Sequence, residues 1–203
     1  LLINGGFDIW QRGTSGFTSA QGYTADRWVT TLGGATGVTK RIELSSSATE
    51  IVGSDYALSW EKTTAGTGGG WLAQRMENVS TTANTELTLS FWARTFASPT
   101  VDLDIDLLQE FGVGGSTQVI TFNAATIGTI ANGTWIKYEA TFTFPSVAGK
   151  TIGEDNYAAV LISPTAPATF QLQIASVKLE IGSVATPYQA RPIGEELALC
   201  QRY

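Results

Sequence analysis

Any chemistry in this chain is done without histidine and with a single cysteine, Cys200. The missing imidazole removes the usual general base, the Ser-His-Asp and Cys-His arrangements, and the commonest transition-metal ligand. A lone cysteine makes no disulfide within the chain and no multi-cysteine metal site, and Cys200 reads as a small buried apolar residue. What the sequence does hold is six Trp and six Tyr, together with amides, carboxylates and guanidinium groups. These are the groups that recognise sugars. A flat aromatic face takes the apolar side of a pyranose, and planar polar groups take two hydroxyls at once.

The pattern offers a saccharide groove on the outward face of paired strands, with Trp92 and Arg94 beside Asp102, Asp104 and Asp106, and Gln74 or Arg75 from a neighbouring strand. The competing account has Trp92 covering the back of a sheet and Arg94 paired with an Asp across the strands. Trp71 directly follows a run of glycine, as a loop-tip aromatic that either binds ligand or plugs the end of the fold. The candidate ligand-binding set is therefore Trp71, Trp92, Arg94, Asp104 and Gln74, with Trp60 and Tyr56 weaker members. Trp10, Trp28 and Trp135 read as structural. Arg12 with Asp26 and Arg27 reads as an ion pair pinning the N-terminal segment. The alternating aspartates also raise hydrolysis, since residues i and i+2 on a strand lie about 7 Å apart, within the range of a glycosidase pair. One carboxyl would then need an apolar setting that keeps it protonated. Three Asp on an open sheet face suit solvation or pairing with Arg better, so no catalytic residue is assigned.

Short strands must position these residues. Glu86 to Arg94 places Leu87, Leu89, Phe91 and Ala93 on one face, and Val101 to Leu107 places Val101, Leu103, Ile105 and Leu107 on one face against the aspartates. Trp135 to Phe144 alternates and stops at Pro145. Tyr157 to Ile162 and Phe170 to Ile181 supply two more strands, the second bulged near Ala175 where the alternation changes phase. Further strands fit Arg27 to Thr31, Val38 to Leu44, Tyr56 to Trp60, Trp71 to Val79 and Gln118 to Phe122. Thr63 to Gly70, Phe111 to Ser116 and Ile127 to Gly133 read as glycine-rich loops. Gly194 to Arg202 is the one helical candidate, acidic at its start and basic at its end.

A hydrophobic fraction of 43% in 203 residues is ample for one all-β sandwich core. The net charge of −6 and the absence of a basic run exclude a phosphate-backbone footprint, so nucleic acid is not an expected partner. No apolar run approaches the ~18 residues of a membrane-spanning helix, and no signal-peptide pattern opens the chain; it reads as a soluble domain with no membrane insertion. It begins at Leu1 rather than Met, as a processed product or a piece of a longer polypeptide would.

Three stretches carry a resemblance. They are LLINGGFDIWQRG at Leu1 to Gly13 with YTADRW at Tyr23 to Trp28, then QRMENV at Gln74 to Val79 leading into LTLSFWAR at Leu87 to Arg94 and FGVGGS, and finally VKLEIGSVATPYQARPIGEELALCQRY from Val177 to Tyr203. In this order they resemble bacteriophage tail-fibre and virion-spike domains of the carbohydrate-binding-module type, similar to families 4, 9 and 22. The resemblance implies an all-β jelly-roll sandwich of two antiparallel sheets over residues 1–190. A C-terminal extension, residues 191–203, would pack on a neighbouring subunit or segment. It further implies a non-enzymatic virion domain that binds host cell-surface polysaccharide, assembled as a homotrimer among other fibre or baseplate proteins. The alternative is a purely structural trimerising cap, with Ile193, Leu197 and Leu199 packing against another subunit; a capsule depolymerase is the third reading. Modules of this group often hold a structural calcium between an N-terminal acidic residue and an Asp pair near the last strand. Asp8 fills the first position here, but Ala175 and Ser176 stand where the Asp pair is expected. Asp8 alone supplies too few of the oxygens calcium demands, so no metal or other cofactor is assigned.

Overall fold

A computed structural model describes residues 1–18, 21–46, 48–66, 69–96, 100–166 and 169–202. Eleven strands follow one another among the described residues: β1 (Gln21–Tyr23), β2 (Trp28–Thr31), β3 (Gly37–Glu43), β4 (Tyr56–Lys62), β5 (Trp71–Glu77), β6 (Glu86–Thr95), β7 (Asp102–Glu110), β8 (Val119–Thr129), β9 (Ile136–Thr143), β10 (Tyr157–Ala166) and β11 (Phe170–Ile181). A 3-10 turn at Val79–Thr81 and a helix, α1 (Ile193–Gln201), complete the described elements. No described helix is long and apolar enough to cross a membrane. Residues 67 and 68 of the expected glycine-rich loop after β4, and Tyr203 of the last motif, lie outside the described residues.

The strands form two antiparallel sheets, one ordered β1-β2-β5-β10-β7-β8 and the other β3-β4-β11-β6-β9. The two sharpest alternations in the sequence meet across the space between them. Leu87, Leu89, Phe91 and Ala93 of β6 and Leu103, Ile105 and Leu107 of β7 are all buried in a single core. Apolar residues two apart on a strand share a face, and each sheet buries one such face against the other. The bulge expected near Ala175 is present, for the β11–β6 register shifts between Ala175 and Lys178 and Ser176 takes a φ of 52°.

Three features depart from the sequence reading. β8 runs on to Thr129, through the first part of the segment expected to be a loop from Ile127 to Gly133. Two register shifts against β7 break its alternation, and Asn123 and Gly128 take positive φ, so no regular period marks this edge strand. β1, only three residues long, is too short to show a period. The third departure concerns β6 and β7, which belong to different sheets. Their outward faces point away from opposite sides of the sandwich. Trp92 and Arg94 therefore share no face with Asp102, Asp104 and Asp106, and no Arg94–Asp pair forms across them.

The N-terminal motif has a physical explanation. Residues 1–13 run without a strand of their own and are tied down by buried polar groups. The Asn4 side chain donates to the carbonyls of Ile9 (2.8 Å) and Asp26 (3.0 Å) and accepts from the Ile9 amide (3.0 Å). Trp28 Nε1 donates to Asn4 O at 2.9 Å, and Trp10 Nε1 to Phe7 O at 2.7 Å. Gly5 is required by close approach, because a Cβ there would fall 2.0 Å from the Val177 carbonyl oxygen. Arg12 and Asp26 pair at 3.2 Å as expected, with Asp26 buried.

The C-terminal segment docks on this same N-terminal segment. The Asn4 amide donates to Glu196 Oε1, Arg191 pairs with Glu196 at 2.8 Å, and Arg191 Nη2 donates to Leu2 O at 3.2 Å. Cys200 is buried, and burial raises its thiol pKa to about 12. Arg191, Glu196 and Cys200, within the segment expected to pack on a neighbour, are thus held by their own chain, while Ile193 stays 62% exposed.

Candidate functional site

The outer faces of the two sheets differ. Over the five-stranded sheet, Ala48 and Ile51 from the segment between β3 and β4 pack with Ala57, Trp135 and Ala175, and Trp92 packs against this cluster. Arg94 Nε donates to Gln173 Oε1 at 2.7 Å, and its guanidinium sits 4.7 Å from the Trp135 ring centre. Burial lowers the Arg94 pKa. Trp92 and Arg94 therefore belong to a roofed face and act in packing. Trp60 is fully buried in the main core, and Tyr56 lies under Arg41, 4.0 Å from the guanidinium carbon. Neither is placed to meet a ligand.

The outer face of the six-stranded sheet is open. On β5 the alternation sends Leu72, Gln74 and Met76 inward and Trp71, Ala73, Arg75 and Glu77 outward. Gln74 is consequently buried. Its Oε1 accepts from the Ile3 amide at 2.7 Å and its Nε2 donates to the Ile3 carbonyl at 2.7 Å. It clamps the N-terminal segment as a strand partner would, and this corrects its expected place among the ligand-binding residues. Asp104 does lie on the outer face, where β7 meets β10 at Ser163, but it is only 8% exposed. Asp106 is likewise buried, and its Oδ1 accepts from the Asn123 amide at 2.8 Å.

Trp71 stands at the head of β5, half-buried, against a patch of small apolar residues formed by Ala73, Ala159 and Leu161. These are set by the register: Ala73 pairs with Val29 and Leu161, Arg75 with Ala159, and Ala159 with Leu108. Tyr157, opposite Glu77, closes the far end. The seven residues from Trp71 to Glu77 span about 20 Å of strand. Arg75 lies diagonally across from Tyr157, its guanidinium 4.5 Å from the ring centre. Gln21 and Gln118 complete a groove of about 230 Å³. It continues past Tyr157 into a hollow of about 270 Å³ lined by Tyr23, Arg27, Glu77 and Asp155. Burial, with the nearby Glu110 and Tyr23, raises the Tyr157 pKa against the opposing pull of Arg75, so the phenol remains a neutral donor. A floor of small side chains with aromatic rings at both ends and planar polar groups between them suits a chain of sugar rings.

Arg75 was within reach of sequence reasoning. Leu72 and Met76 are the apolar members of β5, so the residues alternating with them face outward, and Arg75 rather than Gln74 accompanies Trp71. Tyr157 carried no signal beyond heading a strand. A larger hollow of about 380 Å³ lies beside α1, lined by Gln11, Arg12, Tyr23 and Asp26 among others. Its carboxylate is committed, since Asp26 accepts from Gln11 and Arg12.

The implied calcium position can be tested on its donors. Around Gly6 converge Asp8 Oδ2, Tyr188 Oη and Ser54 Oγ, at 2.6, 3.0 and 3.2 Å from where a Cβ would sit, and Ser54 Oγ is hydrogen-bonded to Ser176 Oγ at 2.8 Å. Burial, aided by Asp55 and Glu196, raises the Asp8 pKa. One carboxylate with three hydroxyls falls short of the anionic oxygen shell calcium takes, and no cluster of metal-binding side chains occurs among the described residues. The residues present do not fit the ion.

No protein-family model matches the sequence, and no curated protein is similar to it. Solved structures do match in fold. The chain is similar to a xylan-binding domain from CBM22 (TM-score 0.55, 13% identity, covering 87% of this chain and 99% of that one). It is also similar to a CBM4 domain (0.53, 12%, 90% and 100%) and to the CBM22-1 xylan-binding domain of Paenibacillus barcinonensis Xyn10C (0.52, 13%, 83% and 94%). The chain has the jelly-roll sandwich fold of carbohydrate-binding modules.

Proposed function

We propose that this chain is a non-catalytic glycan-binding domain whose saccharide lies along the outer face of the six-stranded sheet between Trp71 and Tyr157. The observation that carries this is the open groove: two half-buried aromatic residues flank a floor of Ala73, Ala159 and Leu161, whereas Trp92 on the other sheet is packed against Ala48, Ile51 and Trp135. Its fold is that of modules that include xylan-binding domains. The setting we propose is a phage fibre or spike that attaches to host-surface polysaccharide as a homotrimer. This rests on the N-terminal, middle and C-terminal motifs that resemble such domains, and repeated weak sites would then add through avidity.

A second reading, a structural cap, is favoured by apolar side chains left in solvent near the C-terminus: Ile181, Val184 and Ile193 are 72%, 71% and 62% exposed. The two separate in one experiment. The purified chain is tested on a glycan array and on host cells with Trp71→Ala and Trp92→Ala alongside, and its solution mass is measured. Binding lost in a folded Trp71→Ala protein and kept in Trp92→Ala supports the groove. A folded wild-type chain that binds no glycan and no cell overturns the glycan reading and leaves the cap.

A further inference from the structure

We infer that the groove selects an acidic saccharide, a sugar bearing a carboxylate that docks on Arg75. This rests on the glycan-binding reading and narrows it to a ligand class. Arg75 is the only charged side chain among the described residues lining the groove between Trp71 and Tyr157. The chain as a whole carries −6, so a cationic groove runs against its overall charge. The other arginines and lysines with described contacts are mostly committed within the fold. Arg12 pairs with Asp26, Arg191 with Glu196, Lys137 with Glu139 and Lys178 with Glu180, and Arg94 bonds Gln173. Arg75 makes no ion pair among the described residues.

The guanidinium of Arg75 is oriented as well as uncommitted. Resting over the Tyr157 ring at 4.5 Å, it loses little freedom on binding. A guanidinium edge matches a carboxylate in two parallel hydrogen bonds, and each is stronger than one to a neutral hydroxyl. The exposed carboxylates Glu77 and Asp155 line the adjoining hollow beside Arg27, while Asp104 and Asp106, on the same outer face beside Ser163 and Leu161, are buried. The anionic group is therefore placed on the Trp71 side of Arg75, with neighbouring sugar rings on Trp71 and the alanine floor.

The test is binding of the full chain, by calorimetry or affinity electrophoresis, to polygalacturonate, alginate and hyaluronan. Their carboxyl-reduced counterparts, neutral xylan and dextran sulfate serve as comparisons. A uronate polymer is expected to bind, with reduction of its carboxyls weakening binding about tenfold or more. Arg75→Gln should produce the same loss and leave weak binding to the reduced polymer unchanged. Arg75→Lys should not restore affinity, because an ammonium lacks the planar fork. Because Arg75 is exposed, both variants should melt with the wild type. Binding of neutral glycans that Trp71→Ala abolishes and Arg75→Gln leaves intact overturns this inference and keeps the glycan reading. Equal binding to dextran sulfate reduces the effect to bare charge and also overturns it. No binding to either class overturns both.

Discussion

Replacing Gln74 tests the inward placement of a residue whose polar side chain invites a ligand role. It joins Ile3 through two hydrogen bonds of 2.7 Å and is 2% exposed. Gln74→Leu keeps the volume and removes both bonds. At about 1 kcal/mol for each neutral hydrogen bond, the loss is about 2 kcal/mol, for water reaches half-buried Ile3 and recovers part of the desolvation. For a domain of this length that lowers the melting temperature by about 4–8 °C. Gln74→Glu adds a sign that no ligand role would give. A protonated carboxyl can still donate to the Ile3 carbonyl, so near pH 4 this variant should behave much as the wild type. As pH rises the unfolded chain releases the proton while the folded one retains it, since ionisation would bury an unpaired charge facing a carbonyl. The unfolded state then binds fewer protons and stability falls with pH, by up to about 1.4 kcal/mol per unit at its steepest. Thermal and urea melts from pH 4 to 8 measure this, and glycan binding by the folded variants should be unchanged. A Gln74→Leu protein that melts with the wild type, or a Gln74→Glu deficit independent of pH, refutes the clamp.

Other perturbations separate packing from binding in the same way. Trp92→Ala should cost about 2–3 kcal/mol in urea titrations, because its half-buried ring fills the roof over the five-stranded sheet; wild-type stability would remove that role. Asp8 has a raised pKa from burial and its acidic neighbours, so the folded state holds its proton longer and stability falls as pH rises from the ordinary 3.8 through the raised value. Asp8→Asn should flatten this slope and raise the melting temperature at pH 7. Calcium or a chelator should leave the wild-type melting temperature unchanged, and a calcium-dependent rise would reverse the reading of this position. Arg191→Ala leaves Glu196 buried beside the Asn4 amide without its cation. It should cost about 2 kcal/mol and open the C-terminal segment to limited proteolysis, and an uncut chain of wild-type stability would count against the tether.

Sequence sufficed wherever the cause is local. Alternation of period two placed Leu87, Leu89, Phe91 and Ala93 on one buried face, and the change of phase near Ala175 marked a real bulge, because the pleat dictates side-chain direction strand by strand. The Arg12–Asp26 pair and the structural roles of Trp10 and Trp28 were legible because they sit in compact motifs whose parts must meet. Period two says which way a side chain points, but not which sheet its strand joins. β6 and β7 are consecutive in the chain, yet they lie in opposite sheets, and that alone carried Trp92 and Arg94 away from the aspartates. The groove is a product of distant pairing: Trp71 and Arg75 come from β5 and Tyr157 from β10, brought side by side by a register that spans some eighty residues. Hydrogen-bonded pairing across the sheet set that proximity, and only the tertiary structure could decide it.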